Sequence, residues 1–210
     1  MKPNYSTPTN GSATEEPPLI MSMLKTETTV AHKQLERTKC FSKLFEPVYS
    51  LEDYQALLCY FYGFFSAIEP LIFDDLTEAH RSILGHKVKT DLLIKDLNLL
   101  GIDETELKQL PVCDKLPELN SFAKRMGALY VLEGSVLGGR IISKRLKEHL
   151  GEGIYDKLNF YSCYGENVGT EWKGFQHFMA SQFDEDSTET SEVVAAANDT
   201  FLSLHQWLER

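Results

Sequence analysis

Beyond residue 18, apolar positions recur at intervals of three and four along almost the whole chain, the spacing of one face of a helix rather than of a strand. Leu24, Thr28, Ala31 and Leu35 trace the first such face. A second runs over residues 53–73 through Tyr54, Leu57, Leu58, Phe61, Phe64, Phe65 and Ile68. The pattern continues over 80–100, where Gly101 is placed to stop it. Asn120 or Ser121 can cap a further helix that reaches about residue 150, ahead of Gly151 and Gly153. Segments 155–183 and 191–208 complete the series. Pro17 and Pro18, with Glu15 and Glu16 upstream, punctuate the first helix start. Strand alternation, internal repeats and sustained heptads are all missing from the pattern. The expectation is an all-α fold, a single compact bundle of about six to eight helices over 19–210. Residues 1–18, rich in Pro, Ser, Thr and Asn, are expected as a flexible tail. Residues 184–192, DEDSTETSE, read as a solvated acidic loop.

Composition narrows the function. Hydrophobic residues make up 42% and charged residues 25%, enough to bury a core without disulfides. Lys and Arg total 21 against 31 Asp and Glu, a net charge of -10, which argues against nucleic acid as a partner. Cys40, Cys59, Cys113 and Cys163 form no CxxC pair, which speaks against a zinc ribbon and for a reducing compartment. No apolar run approaches the roughly 20 residues of a membrane span, and residues 1–16 lack an apolar signal core. A soluble, cytoplasmic protein without a membrane partner is expected. There is no HExxH motif, and no Glu is followed three residues later by His, which disfavours zincins and ferritin-type di-iron bundles.

Three features carry candidate chemistry. The run Gly134-Ser-Val-Leu-Gly138-Gly139 lies inside a helical pattern, although each interior glycine costs about 1 kcal/mol relative to alanine. On a helical wheel Gly127, Gly134 and Gly138 share a face beside Val131. Such a face serves either close helix packing or the approach of a flat ligand to the backbone, and spacing leaves both open. In the first helix Lys25 and His32 are seven apart, about 10.5 Å along the axis. That separation suits a cation at the edge of a large disc and an imidazole at its centre, with Glu36 placed to orient the ring. Lys173 and His177, at i and i+4, could bind a carboxylate or form a solvated pair beside Trp172.

Taken together, these stretches resemble the haem oxygenases, most closely the bacterial branch found beside bacteriophytochromes. LKTETTVAHKQLE, residues 24–36, resembles the family's proximal-helix motif. LYVLEGSVLGGRII, residues 129–142, is similar to its glycine-rich distal helix. YGENVGTEWKGF, residues 164–175, and TFLSLHQWL, residues 200–208, resemble later motifs in the same order. The resemblance covers residues 19–210 and implies a helical domain that holds haem between a proximal and a distal helix.

The resemblance assigns His32 as the proximal iron ligand, the sole metal-binding position. It places Gly134, Ser135, Gly138 and Gly139 at the distal, catalytic face, and Lys25, Glu36, Tyr130, Lys173 and His177 around the cofactor. Ser135 stands where animal enzymes carry an Asp supporting distal water, Arg140 where Gln is usual, and Val168 where Thr is usual. The implied activity is oxidative cleavage of haem, both cofactor and substrate, to biliverdin, CO and ferrous iron with O2. No flavin, nicotinamide or iron–sulfur motif is present in the sequence, so a reductase or ferredoxin partner is implied, and a biliverdin-using photoreceptor fits as recipient of the product. The competing reading is a haem carrier or sensor without turnover. A relative on the same scaffold that degrades thiamin or oxidises metal would want a catalytic Cys or a carboxylate–His cluster in the core.

Overall fold

A computed structural model describes residues 16–210 apart from 75, 85–87, 185 and 186. The described residues form eleven α-helices and no strand: α1 (Leu19–Glu27), α2 (Thr29–Glu36), α3 (Lys39–Lys43), α4 (Leu51–Phe73), α5 (Glu78–Leu84), α6 (Lys89–Leu99), α7 (Glu104–Leu107), α8 (Phe122–Ser135), α9 (Gly139–Leu150), α10 (Val168–Gln182) and α11 (Thr188–Leu208). Short 3-10 turns lie at Val136–Gly138, Glu152–Lys157 and Gly165–Asn167. The all-α expectation stands. The helix number exceeds the six to eight expected, because the short α3 and α7 give no periodic signal and three long stretches are interrupted. Most of the tail, residues 1–15, lies outside the described residues.

Each interruption has a tertiary cause. The stretch 80–100 is two helices, and the second begins where α4 supplies its cap. Glu69 of α4 accepts the backbone N–H groups of Lys89 at 2.8 Å and Thr90 at 3.0 Å, as an N-cap side chain within the helix otherwise would. The stretch 120–150 divides at the Val136–Gly138 turn, although Ser121 caps its start as expected. The stretch 155–183 is helical only from residue 168. There Asp96 of α6 accepts the N–H groups of Asn159 at 2.9 Å and Phe160 at 2.8 Å, which holds this segment in a turn.

α4 forms the centre of the core. Ser50 and Asp53 make a reciprocal capping box at its start. At 23 residues and mean hydropathy 1.6, α4 is long and apolar enough to cross a membrane by length and composition. This corrects the sequence reading that no stretch approaches that limit: scattered polar residues such as Gln55 and Glu69 masked the average. Half of its most apolar window is buried within the protein, with Tyr54, Leu58, Phe64 and Ile68 at 0% exposure.

α11 packs along α8, and α4 along α6. The α8–α11 contact is close because Gly127 meets α11 without a side chain. A Cβ there would overlap the Val193 carbonyl oxygen and stand 3.0 Å from the Ala196 Cβ. Gly127 is thus a packing glycine. Gly127→Ala is expected to lower stability by about 1–3 kcal/mol in urea unfolding, since the obstacle is backbone that cannot rotate away.

Candidate functional site

α1 and α2 form one kinked helix rather than two separate ones. Thr28 and Thr29 turn their hydroxyls back onto the carbonyls of Leu24 at 2.7 Å and Lys25 at 2.6 Å, a bond pattern that bends helices. The backbone ladder still runs through the kink, from Leu24 to Thr28 and from Thr28 to His32. Lys25 and His32 consequently face the same cavity, one on each side of the bend.

That cavity measures about 1050 Å³, at the upper limit of small-molecule pockets, which run to about 1000 Å³. One wall is the α1–α2 face, with Met21, Lys25, Thr28, His32 and Leu35. The facing wall is the end of α8 and the turn beyond it, with Val131, Gly134, Ser135, Gly138 and Ile142. Aromatic side chains close the interior: Phe61, Phe64 and Phe65 from α4, Phe160 and Tyr161 from the Asp96-held turn, and Phe201 from α11. The rim is divided. Ser22, Lys25, Thr29, Lys33, Glu36 and Gln176 make a polar edge, while Phe45, Leu137 and Ile141 make an apolar one. The arrangement suits a large flat amphiphile, with its polar edge outward and both faces covered.

His32 stands at the cavity edge with 57% of its side chain exposed. Its Nδ1 lies 3.5 Å from the Glu36 carboxylate, and its ring meets Phe201 edge-on at 5.6 Å. These contacts hold one ring nitrogen and one ring face, which leaves Nε2 as the nitrogen for a ligand. Exposed as it is, the Glu36 contact adds orientation more than stability.

The glycines divide into two kinds. A Cβ on Gly134 would meet nothing within 4 Å, and one on Gly138 would meet only the Ile142 Cδ1, at 4.0 Å. These two leave open space along the cavity wall. Gly139, placed at the distal face by the resemblance, lies elsewhere. It is buried against the backbone of Tyr161, where a Cβ would overlap the Tyr161 carbonyl oxygen. Gly139 lets the turn and the aromatic segment touch and does not line the cavity.

The polar positions also part company. Ser135 lines the cavity, but its hydroxyl donates to the Leu132 carbonyl at 2.6 Å. Its one hydrogen is used within the helix, so it can offer the cavity only an acceptor. Tyr130 lines the cavity, packs 6.0 Å from the Trp172 ring, and has its phenol pushed up by burial, partly offset by a hydrogen bond with Thr28. Lys173 and His177 are exposed and outside the lining; α10 contributes Trp172 and Gln176 instead. The solvated-pair reading fits that position. Arg140 is likewise exposed and outside the lining.

Sequence reasoning passed over the residues that hold the glycine wall in place. Lys89 is fully buried, and its ammonium donates to Glu133 at 2.7 Å. Tyr164 donates to the other Glu133 oxygen at 3.0 Å. Glu133 immediately precedes Gly134. The signal available was weak: a Lys at a helix start reads as solvent-facing. The aromatic lining was read as core, which its i, i+3, i+4 spacing equally fits. Among the described residues no three His, Cys, Asp or Glu side chains converge as a metal-ligand cluster.

Comparison with known proteins places this geometry. The sequence model of a family described as heme oxygenase matches residues 20–210. A haem oxygenase of Xanthomonas campestris is 30% identical over 92 residues, 44% of this chain and 54% of that one, so the match spans about half of that relative's length. Among solved structures, haem oxygenase from Leptospira interrogans superposes with a TM-score of 0.71 at 16% identity, covering 90% of this chain and 98% of that one. The haem complex of haem oxygenase-1 from the cyanobacterium Synechocystis gives 0.68 at 16% identity, covering 90% of each chain. The NO- and CO-bound haem oxygenase of Neisseria meningitidis gives 0.64 at 20%, covering 90% of this chain and 92% of that one. At these identities the structures share the fold.

The two kinds of glycine are separable in the ligand-free protein. Gly134→Ala is expected to leave stability unchanged or raise it by up to about 1 kcal/mol through helix propensity. Gly139→Ala is expected to lower it by about 1–3 kcal/mol through overlap with backbone. Thermal and urea unfolding of the two variants checks the assignment.

Proposed function

We propose that this chain, which belongs to the haem oxygenase family, binds haem in the cavity between His32 and Gly134 and opens it oxidatively. The observation that carries this reading is the pairing across one cavity of an edge-held imidazole with a wall that two glycines keep clear. When bound, haem supplies both the iron that activates O2 and the ring that is cleaved to biliverdin, CO and ferrous iron.

The chain's own residues position and select. His32 Nε2 would hold the iron of a bound haem, with Glu36 and Phe201 fixing the tilt of the imidazole. Gly134 and Gly138 would leave room for a small molecule beside a bound haem, where a side chain would otherwise intrude. The aromatic interior excludes bulk water. Lys25, on the polar rim, pairs with a propionate. Lys173 and His177 remain outside, and Tyr130 lines the cavity against Trp172. Proton delivery passes through water, since Ser135 has no hydrogen to give. Electrons come from an external reductase or ferredoxin. The similarity of residues 164–175 to the bacterial branch supports a biliverdin-using photoreceptor as recipient of the product, and the absence of a CxxC pair among the four cysteines supports a cytoplasmic site of action.

A haem carrier or sensor would use the same His32 without turnover. The two readings separate when haemin, then a reductant, then oxygen are added, the spectrum is followed, and products are extracted with a CO trap. Biliverdin and CO are expected. A reaction that halts at the oxygen-bound stage, with neither product, supports the carrier.

His32→Ala is expected to abolish the histidine-ligated ferric spectrum, and added imidazole to restore it. Gly138→Leu should retain that spectrum and lose ring opening, because the side chain fills the open wall. Lys25→Ala should weaken haem binding by about 1 kcal/mol or less, as an exposed ion pair does, while altering the biliverdin isomer mixture. Lys173→Ala should leave that mixture unchanged. Absorption titration and chromatography of the extracted pigments check each outcome.

A further inference from the structure

Glu133 stands immediately before the glycine turn, and both of its carboxylate oxygens are engaged. One accepts from the Lys89 ammonium at 2.7 Å and the other from the Tyr164 hydroxyl at 3.0 Å. The same ammonium lies 5.5 Å from the centre of the Tyr164 ring. All three residues are buried. Each partner of Glu133 is fixed from elsewhere. The Lys89 N–H donates to Glu69 of α4 at 2.8 Å, and Tyr164 follows the segment whose Asn159 and Phe160 N–H groups Asp96 accepts.

That segment meets the turn a second time. Gly139 rests on the Tyr161 backbone, and Val136 packs in a small cluster with Cys163 and Tyr164, against Leu92 and Val168. The Val136–Gly138 turn is thus bracketed by a hydrogen-bonded, charged clasp before it and a backbone contact after it. Stability alone does not call for the charges. A buried ion pair replaced by apolar side chains of similar volume is often neutral or stabilising, and the surroundings here are already apolar. Hydrogen-bonded charges supply direction, which apolar burial does not. Direction matters at this place, because the three glycines within residues 134–139 widen the conformations open to the turn.

We propose that Lys89, Glu133 and Tyr164 are positioning residues for ring opening: their clasp fixes Gly134 and Gly138 against one edge of the bound disc and so selects which edge is opened. None of the three lines the cavity. They act through the glycine wall, where a displacement of about 1 Å is enough to change the outcome of a reaction between positioned groups. The selection rests on the haem reading; the fixing of the turn does not.

Two variants separate position from stability. Glu133→Gln, the conservative one, keeps the shape of the side chain and an acceptor for Lys89 but removes the carboxylate charge. Its ligand-free urea midpoint is expected to fall, with the biliverdin isomer mixture of the haem-loaded protein retained. The triple variant Lys89→Met/Glu133→Leu/Tyr164→Phe replaces the clasp with apolar side chains of similar size. Its urea midpoint is expected to match or exceed that of the unaltered protein, while the isomer mixture changes. In the ligand-free triple variant the backbone amides of residues 134–139 are expected to exchange with deuterium about tenfold faster. A triple variant that keeps both the exchange rates and the isomer mixture would overturn the proposal, since the cluster would then only fill space. An isomer mixture that simply follows the urea midpoint in both variants would overturn it as well. Should the triple variant not fold, Tyr164→Phe, which retains the Lys89–Glu133 pair, decides by the same two readouts: a smaller shift in the same direction is expected, and no shift in either counts against the clasp. Failure of the unaltered protein to bind haem would instead overturn the haem reading, with exchange in the ligand-free variants still deciding whether the clasp fixes the turn.

Discussion

Lys89 is sealed from solvent at the start of α6, and its ammonium meets Glu133 at 2.7 Å. Breaking such a pair by removing one partner typically costs about 3–5 kcal/mol, because the other charge is left stranded. The position of the glycine wall depends on this contact. Glu133 is the last residue before Gly134, so the pair, with Tyr164 on the second carboxylate oxygen, fixes where α8 gives way to the turn. Seven residues on, at the same face of α6, Asp96 accepts N–H groups from Asn159 and Phe160. Burial pushes the Asp96 carboxyl up, and those donors oppose the shift. One short helix therefore holds both the glycine turn and the aromatic segment that covers Gly139. Glu69 of α4 in turn caps that helix, which ties the site to the core.

The opposite wall is held differently. The α1–α2 bend comes from two adjacent threonines that bond back to the preceding turn. No buried charge is involved, and His32 remains half exposed, steadied by Glu36 and Phe201. The two sides of the cavity are thus anchored differently: a wall held by desolvated charges faces a helix held by the burial of Ile20, Met21, Leu24 and Leu35.

The division of the glycines shows how a single sequence feature can serve two ends. Gly127 and Gly139 allow backbone to touch backbone, and Gly134 and Gly138 keep a surface clear. All four lie within thirteen residues, yet only their neighbours distinguish them. A packing glycine and a cavity-facing glycine impose the same local cost in helix stability; one borders filled space and the other open space.

The sequence by itself determined the helical class, since apolar spacing of three and four is set by the helix repeat. It also placed Lys25, His32 and Glu36 on one face, which stays together through the bend at Thr28 and lines the cavity. It could not determine what happens when partners come from distant elements. Lys173 and His177 satisfied the same i, i+4 rule but face solvent, since helical spacing states which residues share a face and not what that face meets. Glu69 capping α6, Asp96 holding residues 159 and 160, and Lys89 buried against Glu133 connect positions between 20 and 64 residues apart. Such contacts leave no local periodicity, and a buried lysine is written with the same letter as an exposed one. The tertiary structure decided the breaks in the helices and the two kinds of glycine, because each depends on which groups lose their water when the chain closes.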